Sequence, residues 1–173
     1  MSVSAIQMSV LYISLAMLAS PATAQIPGCT GDAPRAGRQI LHCNGGFTIE
    51  LEQGADFHFR NPPGTNAPAS AEVNSGAVLI NHPATTRKRP ELQILTPQAV
   101  ASVRGTTFIV DIANARTSVF VVDGTVEVAR RVASTVVILH RGDGVDVDAG
   151  TGPLQRKHWQ PNRVAALLAR FGR

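Results

Sequence analysis

The stretch from residue 93 to 129, QILTPQAVASVRGTTFIVDIANARTSVFVVDGTVEVA, decides the fold. It reads as four short strands separated by turn residues. Thr96-Pro97 opens the first, because proline lacks a backbone donor and belongs at a strand start. Residues 98–103 lead into Arg104-Gly105-Thr106, where Gly105 permits a bulge or a positive φ. Residues 107–112 are apolar and β-branched, and Asn114-Ala115-Arg116 can turn the chain. Residues 117–122 are expected to meet 125–129 in a hairpin across Asp123-Gly124, a dipeptide suited to tight turns.

The same periodicity continues on both sides. Residues 47–52 alternate strictly, with Phe47, Ile49 and Leu51 on one face and Glu50 and Glu52 on the other, which predicts a half-buried strand. Phe57 and Phe59 repeat the spacing around His58. Residues 60–71 hold three prolines and no periodicity, so they form an exposed loop within one domain. Val73 and the run 77–80 flank Asn74-Ser75-Gly76, read as a turn. Residues 81–90 form a second loop carrying Arg87, Lys88 and Arg89. Residues 92–95 re-enter the sheet. Beyond Ala129, Arg130-Arg131 mark a turn and residues 135–139 (TVVIL) a buried strand. Gly142-Asp143-Gly144 turns the chain before Val145 and Val147 alternate with Asp146 and Asp148. Strands at such short intervals, with no helices between them, predict an all-β fold: an antiparallel short-strand sandwich or a solenoid-like stack.

This order of residues resembles the FecR domain, the extracytoplasmic module of bacterial regulators that sense iron-loaded outer-membrane receptors. The matching residues are Thr96, Pro97, Val103, Arg104, Gly105, Thr106, Phe108, Val119, Val121, Gly124, Val126 and Val128, and the likeness spans residues 73–147. It implies an all-β domain that binds protein partners in signalling. A complete regulator of that family adds a cytoplasmic sigma-factor-binding segment and a transmembrane helix. This chain is expected to lack both, so anti-sigma activity does not carry over from the resemblance.

In their place stands an export signal. Residues 10–19 (VLYISLAMLA) are an apolar core too short to span a bilayer, followed by Pro21 and Ala22-Thr23-Ala24. That small-x-small pattern predicts cleavage after Ala24, although no Lys or Arg precedes the core, and a short uncleaved anchor is the competing reading. Four segments are expected: a signal peptide at 1–24, a disulfide-stapled segment at 25–46, the β domain at 47–150, and a tail with a short helix at 151–173. The chain carries 16 Lys and Arg against 12 Asp and Glu, a mild basic excess with little to say about partners. An exported chain makes nucleic acid an improbable partner; an anionic envelope surface remains open. Cys29 and Cys43 are the only cysteines, and an even count in an oxidising compartment reads as one disulfide. It closes a loop of about 15 residues, worth roughly 3 kcal/mol by chain entropy. A redox pair usually has closer spacing, and Ile26-Pro27-Gly28-Cys29 is a poor lipidation signal because of Pro27.

The C-terminus changes period. Pro161 suits a first helical position and Asn162 a cap. Val164, Leu167, Leu168 and Phe171 then form one helical stripe. A helix this short needs a surface to dock on. Its own sheet, beside Trp159, is one option. A partner protein or membrane is the other, with Arg163, Arg170 and Arg173 on the polar side.

No catalytic pattern emerges. His42, His58, His82, His140 and His158 lack metal-ligand spacing, and Asp143, Asp146 and Asp148 lack a closing ligand for calcium. Glu50 and Glu52 share a strand face without a partner acid for glycoside chemistry. Arg141-Gly142-Asp143 spells an adhesion tripeptide that arises easily by chance. Neither a cofactor nor a metal is expected. Arg104 is either a strand-crossing lock or a recognition residue. The chain is thus expected to be a non-enzymatic exported binding module, meeting a protein partner through exposed strand edges or the Arg87-Lys88-Arg89 loop. The alternative is an envelope scaffold that binds cell-wall material.

Overall fold

The computed structural model describes residues 28–35, 37–60, 70–83, 92–103 and 105–173. The signal-like segment, Arg104 and the Arg87-Lys88-Arg89 loop lie outside them.

Among the described residues, thirteen strands and one helix follow in chain order: β1 (Cys29–Gly31), β2 (Arg38–Cys43), β3 (Phe47–Glu52), β4 (Asp56–Arg60), β5 (Ser70–His82), β6 (Leu92–Leu95), β7 (Ala99–Val103), β8 (Thr106–Ala113), β9 (Arg116–Asp123), β10 (Thr125–Arg130), β11 (Val136–His140), β12 (Asp143–Val147), β13 (Lys157–His158) and α1 (Pro161–Ala169). They make one continuous sheet folded into two facing layers. The first layer runs β1-β2-β3-β5-β8-β9-β12-β13, and the second holds β4, β5, β6, β7, β10 and β11. The architecture is a rolled two-layer sandwich. All pairings are antiparallel except β5 with β6, which run parallel.

Strand β5 belongs to both layers. Its first half pairs with β4 and β6, and its second half, from Gly76 onward, with β3 and β8. The expected turn at Asn74-Ser75-Gly76 is therefore a bend inside a single strand. Gly76 supplies it with φ of +79°, and a side chain there would press on the Ala55 backbone.

The predicted hairpin across Asp123-Gly124 does not form. β9 pairs with β8 and β12 in the first layer, while β10 pairs with β7 and β11 in the second. Gly124, at φ +90°, is the single residue between two strands, too few for a hairpin turn, and it swings the chain from one layer to the other. Val119 and Val121 then face Val126 and Val128 across the interior rather than along one sheet. The tight hairpin lies at Asn114-Ala115, where both residues are left-handed (φ 52° and 57°) and join β8 to β9.

Between the layers sits the main core: Leu41, Ile49, Val73, Val78, Ile80, Ile94, Phe108, Val110, Val121, Val128 and Leu139 among others, all fully or nearly fully buried. The Cys29–Cys43 disulfide closes the β1–β2 pair at its rim, with Cys43 buried. β1 and β2 are thus strands of the first layer, stapled to each other by the disulfide.

Helix α1 covers the outer face of the first layer. Leu167 and Phe171 pack with Ala77, Leu79, Ile109, Phe120 and Trp159 in a second apolar cluster. Gln160 caps the helix with extended backbone and Pro161 takes the first turn; Asn162 lies inside, its Oδ1 accepting the Arg163 amide.

Candidate interaction surface

The signature residues converge at two places. Thr96 closes the β6–β7 turn: its hydroxyl donates to the Ala99 carbonyl (3.0 Å) and accepts the Ala99 amide (2.8 Å). Pro97 sits in that turn, exposed. The Thr117 hydroxyl, on the opposite layer, lies 2.9 Å from Thr96 Oγ1 and 2.8 Å from Gln98 Oε1. Its one proton serves either acceptor, so the turn is tied across the sandwich. At the other end, the Thr106 hydroxyl donates to the Thr125 carbonyl (2.8 Å), and Gly124 packs so tightly on the Gly105 carbonyl that any side chain would collide. The Gly105 amide donates to Nδ1 of the buried His82, whose ring stacks on Phe47. Val103 and Phe108 point into the core. The residues placed here hold the two layers in register and are mostly covered.

The helix interface carries chemistry that strand alternation hides. Arg170 bonds Glu52 through Nε (2.8 Å) and Nη2 (2.5 Å), and its Nη1 lies 2.9 Å from Asp111 Oδ1 as an ion pair. Arg163 grips Asp146 at 2.9 and 2.5 Å and stacks 3.4 Å above the Trp159 ring. Arg173 bonds Glu50, and Arg38 bonds the Phe171 carbonyl at the helix end. The hydrogen bond and charge of Arg170 hold the Glu52 carboxyl below its ordinary value. Burial pushes Asp146 up, but the bonds from Arg163 and Ser118 outweigh it and leave the group lowered. The Glu50 and Glu52 pair is therefore spent on docking the helix. The arginines expected to meet an outside partner face carboxylates of their own sheet.

Trp159 packs over the neighbouring Phe120 (centroids 5.1 Å apart) and Gly144, where a Cβ would collide with the indole. Gly144 is strand rather than turn, and its missing side chain is what admits the ring. Arg130, also read as a turn residue, is buried in β10. It donates to the carbonyls of Asp148, Gly150 and Gly152 and so clamps the loop after β12. The bond from Arg130 lowers the Asp148 carboxyl.

Two shallow depressions, of about 190 Å³ beside Arg130 and Trp159 and about 210 Å³ beside Arg163 and Arg170, are lined by these paired charges. Among the described residues, no three His, Cys, Asp or Glu side chains converge as metal ligands, and no helix is long and apolar enough to cross a membrane. The large exposed apolar side chains among them are Val132, Val136 and Ile138. All three lie on β11 or the turn before it, a strand read from its sequence as buried. Only alternate residues are covered: Leu139 is fully buried and Val137 partly so.

The profile of the FecR protein family matches residues 33–127, more than half of the 173. The chain belongs to the FecR family. The match begins earlier than the residues that first suggested it, within the β1–β2 region. No curated protein matches the sequence. Two crystal structures of a candidate anti-sigma factor from Parabacteroides distasonis ATCC 8503 are similar in fold, each with a TM-score of 0.59 at 20% identity. They cover 81% and 80% of this chain, and the chain spans 64% of that protein's length.

Proposed function

We propose that the chain is an exported, non-enzymatic binding module acting through protein–protein contact in envelope signalling. Membership of the FecR family carries this reading. The fold likeness to a candidate anti-sigma factor and the Cys29–Cys43 disulfide, which suits an oxidising compartment, are in keeping with it. We further propose that residues 1–24 are removed and that α1 docks on the sheet of the same domain.

Two measurements test this. Intact mass of protein recovered from the envelope should correspond to a chain starting at Gln25 with one disulfide; a retained Met1 defeats export. Photo-crosslinking in envelope preparations, followed by identification of the adducts, should yield a protein. Co-sedimentation with isolated cell wall and no protein adduct would favour the scaffold reading instead.

A further inference from the structure

We propose that the depression beside Arg130 and Trp159 binds a small monocarboxylate, which accepts the indole N–H of Trp159 and the unspent N–H groups of Arg130 and pairs with the ammonium of Lys157. This site lies outside the protein-contact reading and does not depend on it.

Trp159 is 6% exposed, yet its one polar atom, Nε1, has no hydrogen-bond partner among the described residues. A tryptophan N–H buried to that degree ordinarily finds an acceptor. The ring stacks on Phe120 and lies under the Arg163 guanidinium, which fixes its position. Its nitrogen edge sits over Gly144, where a Cβ would collide with it, and the nitrogen is not sealed from solvent. Gly144 and Trp159 both line the depression, so the donor opens there.

Arg130 supplies a second set of donors. It is 8% exposed. Its Nε and Nη1 serve the carbonyls of Asp148, Gly150 and Gly152 and the Asp148 carboxylate, while Nη2 bonds no described residue. The N–H groups on that nitrogen therefore remain unspent. Lys157 stands directly opposite Gly144 in the β12–β13 pair, hence on the same face. It is exposed and forms no ion pair among the described residues. Pro153 and Gln155 complete the rim.

Charge and size narrow the ligand. Asp146 and Asp148 also line the depression, but Arg163 holds the first and Arg130 the second. Lys157 is the cation left over, which balances one negative charge. A dianion would face two carboxylates with a single spare cation. A carboxylate brings lone pairs enough for the donors of Trp159, Arg130 and Lys157 together. The volume, about 190 Å³, exceeds what a water needs and falls short of the roughly 300 Å³ at which drug-sized ligands begin. It suits a small acid.

The probe is sodium N-acetylglycinate, titrated at constant ionic strength into the isotope-labelled chain recovered from the envelope. Trp159 is the only tryptophan, so one indole N–H signal in the nuclear magnetic resonance spectrum reports the site. The expected result is a saturable shift of that signal with a Kd of about 1 mM, absent with the neutral N-acetylglycinamide. Lys157→Gln, at an exposed position, should weaken binding several-fold. Trp159→Phe keeps an aromatic ring but removes the donor, and should weaken it about fivefold when followed on the Gly144 amide signal. The comparison of acid with amide needs no variant, so it stands even if a substitution disturbs folding. Acetate binding as well as N-acetylglycinate would assign the site to free acids, and a preference for N-acetylglycinate would assign it to a peptide terminus; both uphold it. No saturable shift, or an equal response to the amide or to chloride, overturns the proposal. So does tighter binding of inorganic phosphate, or an affinity that neither variant alters.

Discussion

The two faces of the first layer are held by different physics. Its inner face meets the second layer chiefly through aliphatic side chains, Phe47, Phe108 and the disulfide, with polar bonds such as Thr117 to Thr96 at the rim. Its outer face meets α1 through aromatic rings and arginine–carboxylate pairs. The inner contact gains from removing apolar area from water, which requires fit but no particular partner. The outer one is small and is fixed in place by directed bonds between residues more than a hundred positions apart, such as Arg170 with Glu52.

Truncating Phe108, fully buried between the layers, should do the most damage. Phe108→Ala is expected to cost about 3–5 kcal/mol through lost transfer energy and a cavity. Chemical denaturation measures it, and a loss below about 1 kcal/mol would mean that the interior tolerates gaps as the outer face should. Phe171→Ala removes the main apolar anchor of α1 and should cost about 2–3 kcal/mol, limited by what docking contributes. Trp159, the only tryptophan, should report it as a fluorescence change preceding global unfolding. A single coincident transition would show instead that helix and sandwich are one cooperative block.

Arg170→Gln should cost less, about 1–2 kcal/mol, by leaving Glu52 and Asp111 without their cation. Added salt should shrink the gap between wild type and variant, because the pairs are part-exposed. A salt-independent gap would point to packing by the arginine stem. The smallest effect is that of pH. Glu52 and Asp146 titrate below their ordinary 4.5 and 3.8, so their contribution is complete above those values and is lost as pH falls through the depressed ones. Trp159 emission should hold steady from about pH 7 to about pH 5 and change only in stronger acid. A change already above about pH 5 would show that these two carboxylates do not govern the dock.

The inner face was largely legible in the sequence. Alternation in residues 47–52 and the apolar runs at 107–112 and 117–122 report burial directly, since a strand's two faces repeat every second residue. Connectivity was harder. Asp123-Gly124 is chemically fit for a hairpin, yet sequence does not say whether a glycine turns the chain within its sheet or out of it. The outer face was hidden because Glu50 and Glu52 read as a wet polar face until a helix lands on them. Arg130 was hidden for a similar reason, since the carbonyls that satisfy it come from a loop about twenty residues later. The edge of β11 was misread the opposite way: hydrophobicity implied burial on both sides, and only one side is covered.

Strand β5 runs through both layers and joins them along one backbone, so peeling either layer away must tear hydrogen bonds in the other. Its amides near Gly76 should accordingly be among the last to exchange with solvent deuterium.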